Sequence, residues 1–371
     1  MRREGMAINE SMMQLIWVLV GGYVIKAVSK KQTVQVLGEP QKRWSKSSAL
    51  LLMIPLILWA TYRSLYIGDT GTYVNAFNRM PDTLAELSAY VGTLKNDKGY
   101  YTFAALIRIF ISKDYRVYLF IIAAIQGVIL ALVLRKYSSD YWLSIFLFVA
   151  ATDYLSWMNN GIRQFVAVVI VFAGTKWLLE RKNIQYILLV LFASLFHQTA
   201  LLMIPIGFIL QGKAWNIKTL LFIAASLAAV VFVDRFTDIL DNNALSETQY
   251  ENVVSDWESF NDDGTNVFRV LVYSVPAILA FIGRKRIKTD DDPVITMATN
   301  ASLITSGIYL VSMVTSGIFV GRLPIYVSLY SNCILLPWET ENIFSRESSQ
   351  LVKLLMFVCY IAFYYYAMFI N

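Results

Sequence analysis

Long apolar runs separated by short polar turns fill the chain from residue 12 to residue 370. They fall at 12–28, 47–66, 115–134, 141–157, 161–179, 184–197, 199–211, 217–233, 267–283, 293–313, 318–338 and 351–370. A bilayer crossing needs about 20 mostly apolar residues, fewer where the helix is buried among others. None of the runs alternates like a barrel strand, so the pattern predicts an all-α, polytopic membrane protein of about 12 transmembrane helices. The amphiphilic piece at 99–111 is too short to cross and is expected in the interface or as a re-entrant segment. Residues 184–211 as one helix would measure about 42 Å, longer than a hydrocarbon core of roughly 30 Å. A hairpin of two short spans, turning at Phe196-His197-Gln198-Thr199, resolves the excess and places His197 at or just beneath the membrane surface.

Composition agrees: 57% of residues are hydrophobic and only 16% charged, where soluble domains carry roughly 25%. The net charge of +6 does not indicate nucleic acid as a partner, because its cations sit in short clusters between apolar runs. Lys30, Lys31, Lys42, Arg43 and Lys46 share one turn, and Arg135–Lys136, Arg181–Lys182, Lys213–Lys218 and Arg284–Lys288 fall in alternate turns. Placing these inside puts both termini outside. It also makes outer loops of 67–98 and of 234–265, where nine acidic residues face only Arg235. Arg2 and Arg3 at the outer N-terminus run against this topology. The N-terminus carries no cleavage pattern, so the first span is expected to be retained. No repeat or low-complexity linker appears, and the expectation is a single membrane domain over 1–371. Cys333 and Cys359 lie inside apolar runs as small core residues, and one histidine gives no zinc ligand set, so no metal is expected.

Polar side chains at membrane depth are costly and usually functional. Arg163, after Asn159-Asn160-Gly161, Arg322, after Gly317 and Gly321, and Arg269, after Asn266, each open a helix that starts on the outer side. A cation there opposes the helix dipole, but guanidinium forks and N-terminal amides together suit a phosphate or pyrophosphate. The plainer account of each is snorkelling or pairing with acids of the outer loops. His197 has the neutral-range chemistry of a general base, against the plainer role of an interfacial residue. Asp69, in Gly68-Asp69-Thr70-Gly71, either positions a hydroxyl or caps a helix. Tyr73, Tyr100 and Trp157 lie at span ends, where aromatic rings form an interfacial belt or stack on sugars.

At these residues the chain resembles a known family. The segment from Gly68 to Phe77, the run from Asn159 through Arg163-Gln164 to Gly174, and Leu195-Phe196-His197-Gln198-Thr199-Ala200 after a basic turn are similar to the EpsG family. These are multi-pass proteins of bacterial exopolysaccharide and capsule clusters, related in role to Wzy polysaccharide polymerases. The segment from Gly321-Arg322 to Pro337 fits that family's final region, and the resemblance runs from about Thr61 to Pro337. It implies a fold like the C-type glycosyltransferase-like polymerases, in the bacterial cytoplasmic membrane. It further implies a metal-independent glycosyltransferase without cofactor, joining polyprenyl-diphosphate-linked oligosaccharides at the outer face. Membrane lipids, a chain-length regulator and a flippase would be its partners. Asp69 and His197 would then supply the base, and Arg163 and Arg322, with Arg269, would hold the diphosphate. Tyr73, Gln164 and Asn160 would contact the substrate. A flippase of the same lipid-linked units and a non-catalytic subunit of a synthesis complex remain alternatives. Unusual charges near the outer edge, and no internal repeat, weigh against a transporter.

Overall fold

A computed structural model describes residues 11–233 and 264–369. Helices occupy each of the apolar runs. Four are long and apolar enough to cross a membrane: Ser11–Val28, Tyr115–Tyr137, Pro293–Met313 and Arg346–Phe369. Two bent pairs raise the number to six, and five shorter apolar helices accompany them. The chain is therefore a helical membrane protein with four to six spans by length. A count of about 12 requires the shorter helices to cross as well. The segments that would place the two termini, 1–10 and 370–371, lie outside the described residues, as does 234–263 of the acidic loop.

Polar residues at the run edges set the helix starts. Ser45 accepts the Ser48 N–H at 3.0 Å, and Asp114 accepts that of Arg116 at 2.8 Å. Asn216 accepts from Lys218 and Thr219, and Asp292 from Val294, with Pro293 in the first turn. Each satisfies donors that a helix start leaves unpaired.

Two compact units form, one running to Ile204 and resuming at Lys353, the other Pro205–Val352. In the first, α1 (Ser11–Val28) leads through a hairpin, β1 (Lys31–Val36) and β2 (Glu39–Trp44), into α2 (Lys46–Tyr62). The hairpin pairs Lys31 with Trp44 through Val36 with Glu39, and Leu37 and Gly38 both take the positive φ that a tight two-residue turn requires. The stretch expected as an outer loop at 67–98 carries α3 (Thr70–Asn78) and α4 (Leu84–Thr93). Next come α5 (Lys98–Phe110), the amphiphilic piece, and α6 (Tyr115–Tyr137). α7 (Tyr141–Ala150), α8 (Asp153–Asn159), α9 (Ile162–Ala173), α10 (Thr175–Leu179) and α11 (Asn183–Ser194) follow. A 3-10 turn, Gln198–Leu202, then folds back onto α11.

α2 packs along α6, so closely at Gly127 that a Cβ there would meet Ile57 Cγ1 at 2.6 Å. The runs read as spans at 141–157 and 161–179 are broken. Thr152, at φ +63°, ends the first, and α8 and α9 meet at 113° across Asn160-Gly161. One end of this unit is basic. Arg135 Nε donates to Trp44 O at 2.6 Å, tying the hairpin to α6. Asp140, buried, accepts from Lys26 at 2.9 Å and Lys353 at 2.5 Å. The C-terminus of α2 and the N-terminus of α6 therefore lie at the opposite end.

The second unit holds most of α12 (Met203–Leu210), then α13 (Ile217–Val231), α14 (Val267–Ile282), α15 (Arg284–Asp290) and α16 (Pro293–Met313). α17 starts at Ile325, widens into a π turn at Ser331–Leu335 and ends at Asn342, and α18 (Arg346–Phe369) begins in this unit and belongs to the first from Lys353 on. α16 is the centre of this unit, with α13, α14 and α17 packed on it.

Candidate functional site

The end of the first unit away from the basic cluster is built from breaks between helices. Gly68, at φ +49°, lets the chain turn out of the α2 segment and into α3. A Cβ at that position would stand 2.3 Å from Asn160 Oδ1, so the glycine permits a close approach of two distant segments. The approach is sealed by the Asp69 N–H, which donates to Asn160 Oδ1 at 2.6 Å. Asp69 occupies the N-cap of α3, yet its carboxylate accepts no capping hydrogen bond and is exposed.

Beside this contact Arg163 opens α9. Its Nη1 donates to Asp97 Oδ2 at 2.6 Å, and the Asp97 side chain is 1% exposed against 30% for Arg163. Asp97 takes a left-handed backbone at φ +51° as the N-cap of α5 and also accepts the Gln198 backbone N–H. Burial pushes its carboxyl above the ordinary carboxylate range, although Arg163 and that N–H pull it down. The rings of Tyr101 and Tyr73 flank the guanidinium at 5.6 and 6.0 Å, and the Tyr73 hydroxyl is hydrogen-bonded to it. Burial raises the Tyr73 phenol, with Arg163 opposing.

The third segment is the turn after α11. The Gly99 N–H donates to Leu195 O at 2.9 Å, where a Cβ on residue 99 would meet Leu195 Cβ at 2.6 Å. His197 follows in extended backbone, half-buried, with Nδ1 2.7 Å from Thr199 Oγ1. Gln164 Nε2 lies 3.4 Å from the same hydroxyl. Asp69, Tyr73, Asn160, Arg163, Gln164 and His197 thus belong to one linked set of contacts.

Arg269 and Arg322 belong to the other unit. Arg269 is in the first turn of α14 and Arg322 ends a 3-10 turn, Val320–Arg322. The segments that carry them meet where Thr265 N donates to Ser312 O at 2.9 Å and Gly321 abuts Thr265.

The site also holds residues that the sequence did not single out: Arg63, Asp97, Tyr101 and Tyr118. Arg63, only 6% exposed, donates from Nε to Thr70 Oγ1 at 2.8 Å and from Nη1 to Ala60 O. It pins the end of α2 to the start of α3 and has no carboxylate partner among the described residues. Tyr118 stacks on Phe77 at 4.5 Å and shares a hydrogen bond with the Tyr100 hydroxyl. Buried atoms with no partner among the described residues gather here: Arg63 Nη2, Asp97 Oδ1, Gln126 Oε1, Asn159 Oδ1 and Arg163 Nε. Buried polar atoms are ordinarily paired, so a cluster of them suits a polar ligand with both donors and acceptors. Two arginines against one buried carboxylate favour an anionic one.

The chain matches the model of the EpsG family over residues 48–371. No curated protein and no solved structure matches it.

Proposed function

The chain belongs to the EpsG family, and from that premise we propose that it polymerises lipid-linked oligosaccharide repeat units at the membrane face opposite its basic clusters. The observation that carries the reading is Arg163. It is held by a buried carboxylate and bracketed by two tyrosines where three separate segments meet. An arginine anchored on one side presents the rest of its fork in a fixed direction, which suits phosphate oxygens.

In the proposed reaction a sugar hydroxyl of one unit attacks the anomeric carbon of the growing glycan. The bond from that carbon to the phosphate oxygen breaks, and the polyprenyl diphosphate leaves with the electron pair. Arg163 offsets the charge that builds on the leaving oxygens. His197 takes the hydroxyl proton. In the tautomer whose Nδ1–H donates to Thr199 Oγ1, the basic lone pair is on Nε2, and the contact at 2.7 Å fixes the ring plane. Asp69, exposed at the mouth and free of a capping bond, orients the acceptor hydroxyl, and Asn160 and Gln164 order the surrounding turns. Tyr73 and Tyr101 offer ring faces to the sugars. Protein groups alone perform these roles, and Arg322 and Arg269 are proposed to bind a diphosphate within their own unit.

The test is made in a host carrying the synthesis cluster. Arg163→Ala, Arg163→Lys and His197→Ala are compared at equal membrane levels, with the lipid-linked glycans separated by size. Loss of long chains with build-up of single units on the outer leaflet is the expected result. Normal long chains in all three would remove these residues from the site. Single units trapped on the inner leaflet would instead identify a flippase.

A further inference from the structure

A second site lies in the other unit, at its basic turns. A cavity of about 610 Å³ opens between the turn 211–216 and the segment 284–291, lined by Lys213, Trp215, Asn216, Lys288 and Asp291 among others. Both segments join apolar helices, α12 to α13 and α14 to α16, so the cavity sits at helix ends, where the hydrocarbon meets water.

Its shape is specified by a buried residue. Asn300, with no exposed surface, accepts the Trp215 N–H at 3.0 Å and the Thr219 hydroxyl at 3.3 Å. The same side chain donates to Leu210 O and Lys213 O, both at 3.1 Å. All its hydrogen-bonding capacity goes into holding one turn. That turn carries Trp215 at φ +55°, a conformation costly for a bulky residue and persistent only where the surroundings enforce it.

The cations of the two turns divide into used and unused. Lys218 donates to Phe208 O and Gln211 O, closing the end of α12, and Arg286 pairs with Asp290 at 2.9 Å. Arg284 donates to Phe281 O at 3.1 Å. Lys213 and Lys288, the two in the cavity wall, have no carboxylate partner among the described residues, and Lys288 Nζ rests 5.8 Å above the Trp215 ring. Asp291 adds an acceptor at the rim.

We propose that this cavity binds the headgroup of an anionic phospholipid that also carries hydroxyls, as phosphatidylglycerol does. Lys213 and Lys288 hold the phosphodiester, Asp291 accepts from the glycerol hydroxyls, and Trp215 seats the ester region at the interface. The position at helix ends selects a lipid over a soluble phosphate, since the acyl chains run alongside α13 and α14.

The experiment uses the full chain in nanodiscs with increasing phosphatidylglycerol in a zwitterionic background. Binding is read by native mass spectrometry and by labelled-lipid competition. Lys213→Ala/Lys288→Ala should weaken binding about 30-fold, the combined effect of two basic residues near a membrane surface. Lys285→Ala, in the same turn but outside the cavity wall, should leave it unchanged. Trp215→Phe, which keeps the backbone constraint, should weaken it less than the double change. Equal binding by the double variant and the wild type overturns the proposal. So does an equal loss in Lys285→Ala, which would reduce the effect to general charge. Displacement of the lipid by millimolar inorganic phosphate would assign the cavity to a soluble anion and overturn the lipid assignment.

Discussion

Neutralising Arg163 and Asp97 separately and together distinguishes what the pair does for the fold from what Arg163 does for the reaction. Asp97 is the dependent partner: its side chain is 1% exposed, and burial holds its carboxyl above the ordinary range even with Arg163 at 2.6 Å. Arg163, at 30%, keeps part of its hydration. Removing one member of a buried pair costs about 3–5 kcal/mol, and since Asp97 can protonate, Arg163→Gln should lose about 3 kcal/mol. For a unit of this size that lowers Tm by roughly 6–12 °C. Asp97→Asn removes both the burial penalty and the attraction, and should stay within about 1 kcal/mol of wild type. Adding Asp97→Asn to Arg163→Gln should restore most of the loss, a coupling of about 2–3 kcal/mol. The pH dependence has a defined sign. A raised folded pKa means stability that is full below the unfolded pKa and lost as pH rises through the folded one. The deficit of Arg163→Gln should therefore shrink on acidification. Thermal unfolding in nanodiscs is measured alongside glycan size from the same membranes. A coupling below about 0.5 kcal/mol would refute the buried-pair reasoning. If polymer returned with stability in the double variant, Arg163 would have no part in the chemistry.

Two further outcomes follow from the same geometry. Gly68→Ala places a Cβ 2.3 Å from Asn160 Oδ1 at a φ of +49°, and should cost about 1–3 kcal/mol with a matching fall in polymer. Gly92→Ala, whose Cβ meets nothing within 4 Å, serves as control, and equal output from the two would separate the 68–160 contact from function. At the basic end, burial pushes the Asp140 carboxyl up, but Lys353 and Lys26 outweigh it and hold it below the ordinary range. Its stabilisation is full above the unfolded pKa of about 3.9 and lost as pH falls through the depressed folded value. Wild type and Asp140→Asn should differ most near neutrality and converge in strong acid, as followed by unfolding temperature. A gap unchanged at pH 3 would argue against the two-lysine clamp.

What the sequence disclosed, and what it withheld, follows from the kind of information hydropathy carries. Apolar runs locate helices, and Gly68-Asp69, Asn159-Asn160-Gly161 and Phe196-His197-Gln198 were legible because amides and glycine interrupt those runs. The structure joins these interruptions through Asp69–Asn160, Arg163–Asp97 and Gln164–Thr199. Asp97 was not legible, because Lys95-Asn96-Asp97-Lys98 has the composition of a solvated turn. Only the Gln198 N–H and Arg163, brought from 66 to 101 residues away, make it a buried anchor. Arg63 lies inside the run 47–66 and was not singled out; only the structure shows its Nε and Nη1 joining the end of α2 to the start of α3. The break between α7 and α8 was hidden for a different reason. Thr152, at φ +63°, turns the backbone inside the run 141–157, where the surrounding apolarity still marks one span. Arg163, Arg269 and Arg322 were grouped because each opens a helix on the same expected side. A helix start fixes depth along the membrane normal and leaves position around the bundle open. Shared depth alone therefore assigns no shared pocket, and Arg163 gains its place through contacts that depth could not supply.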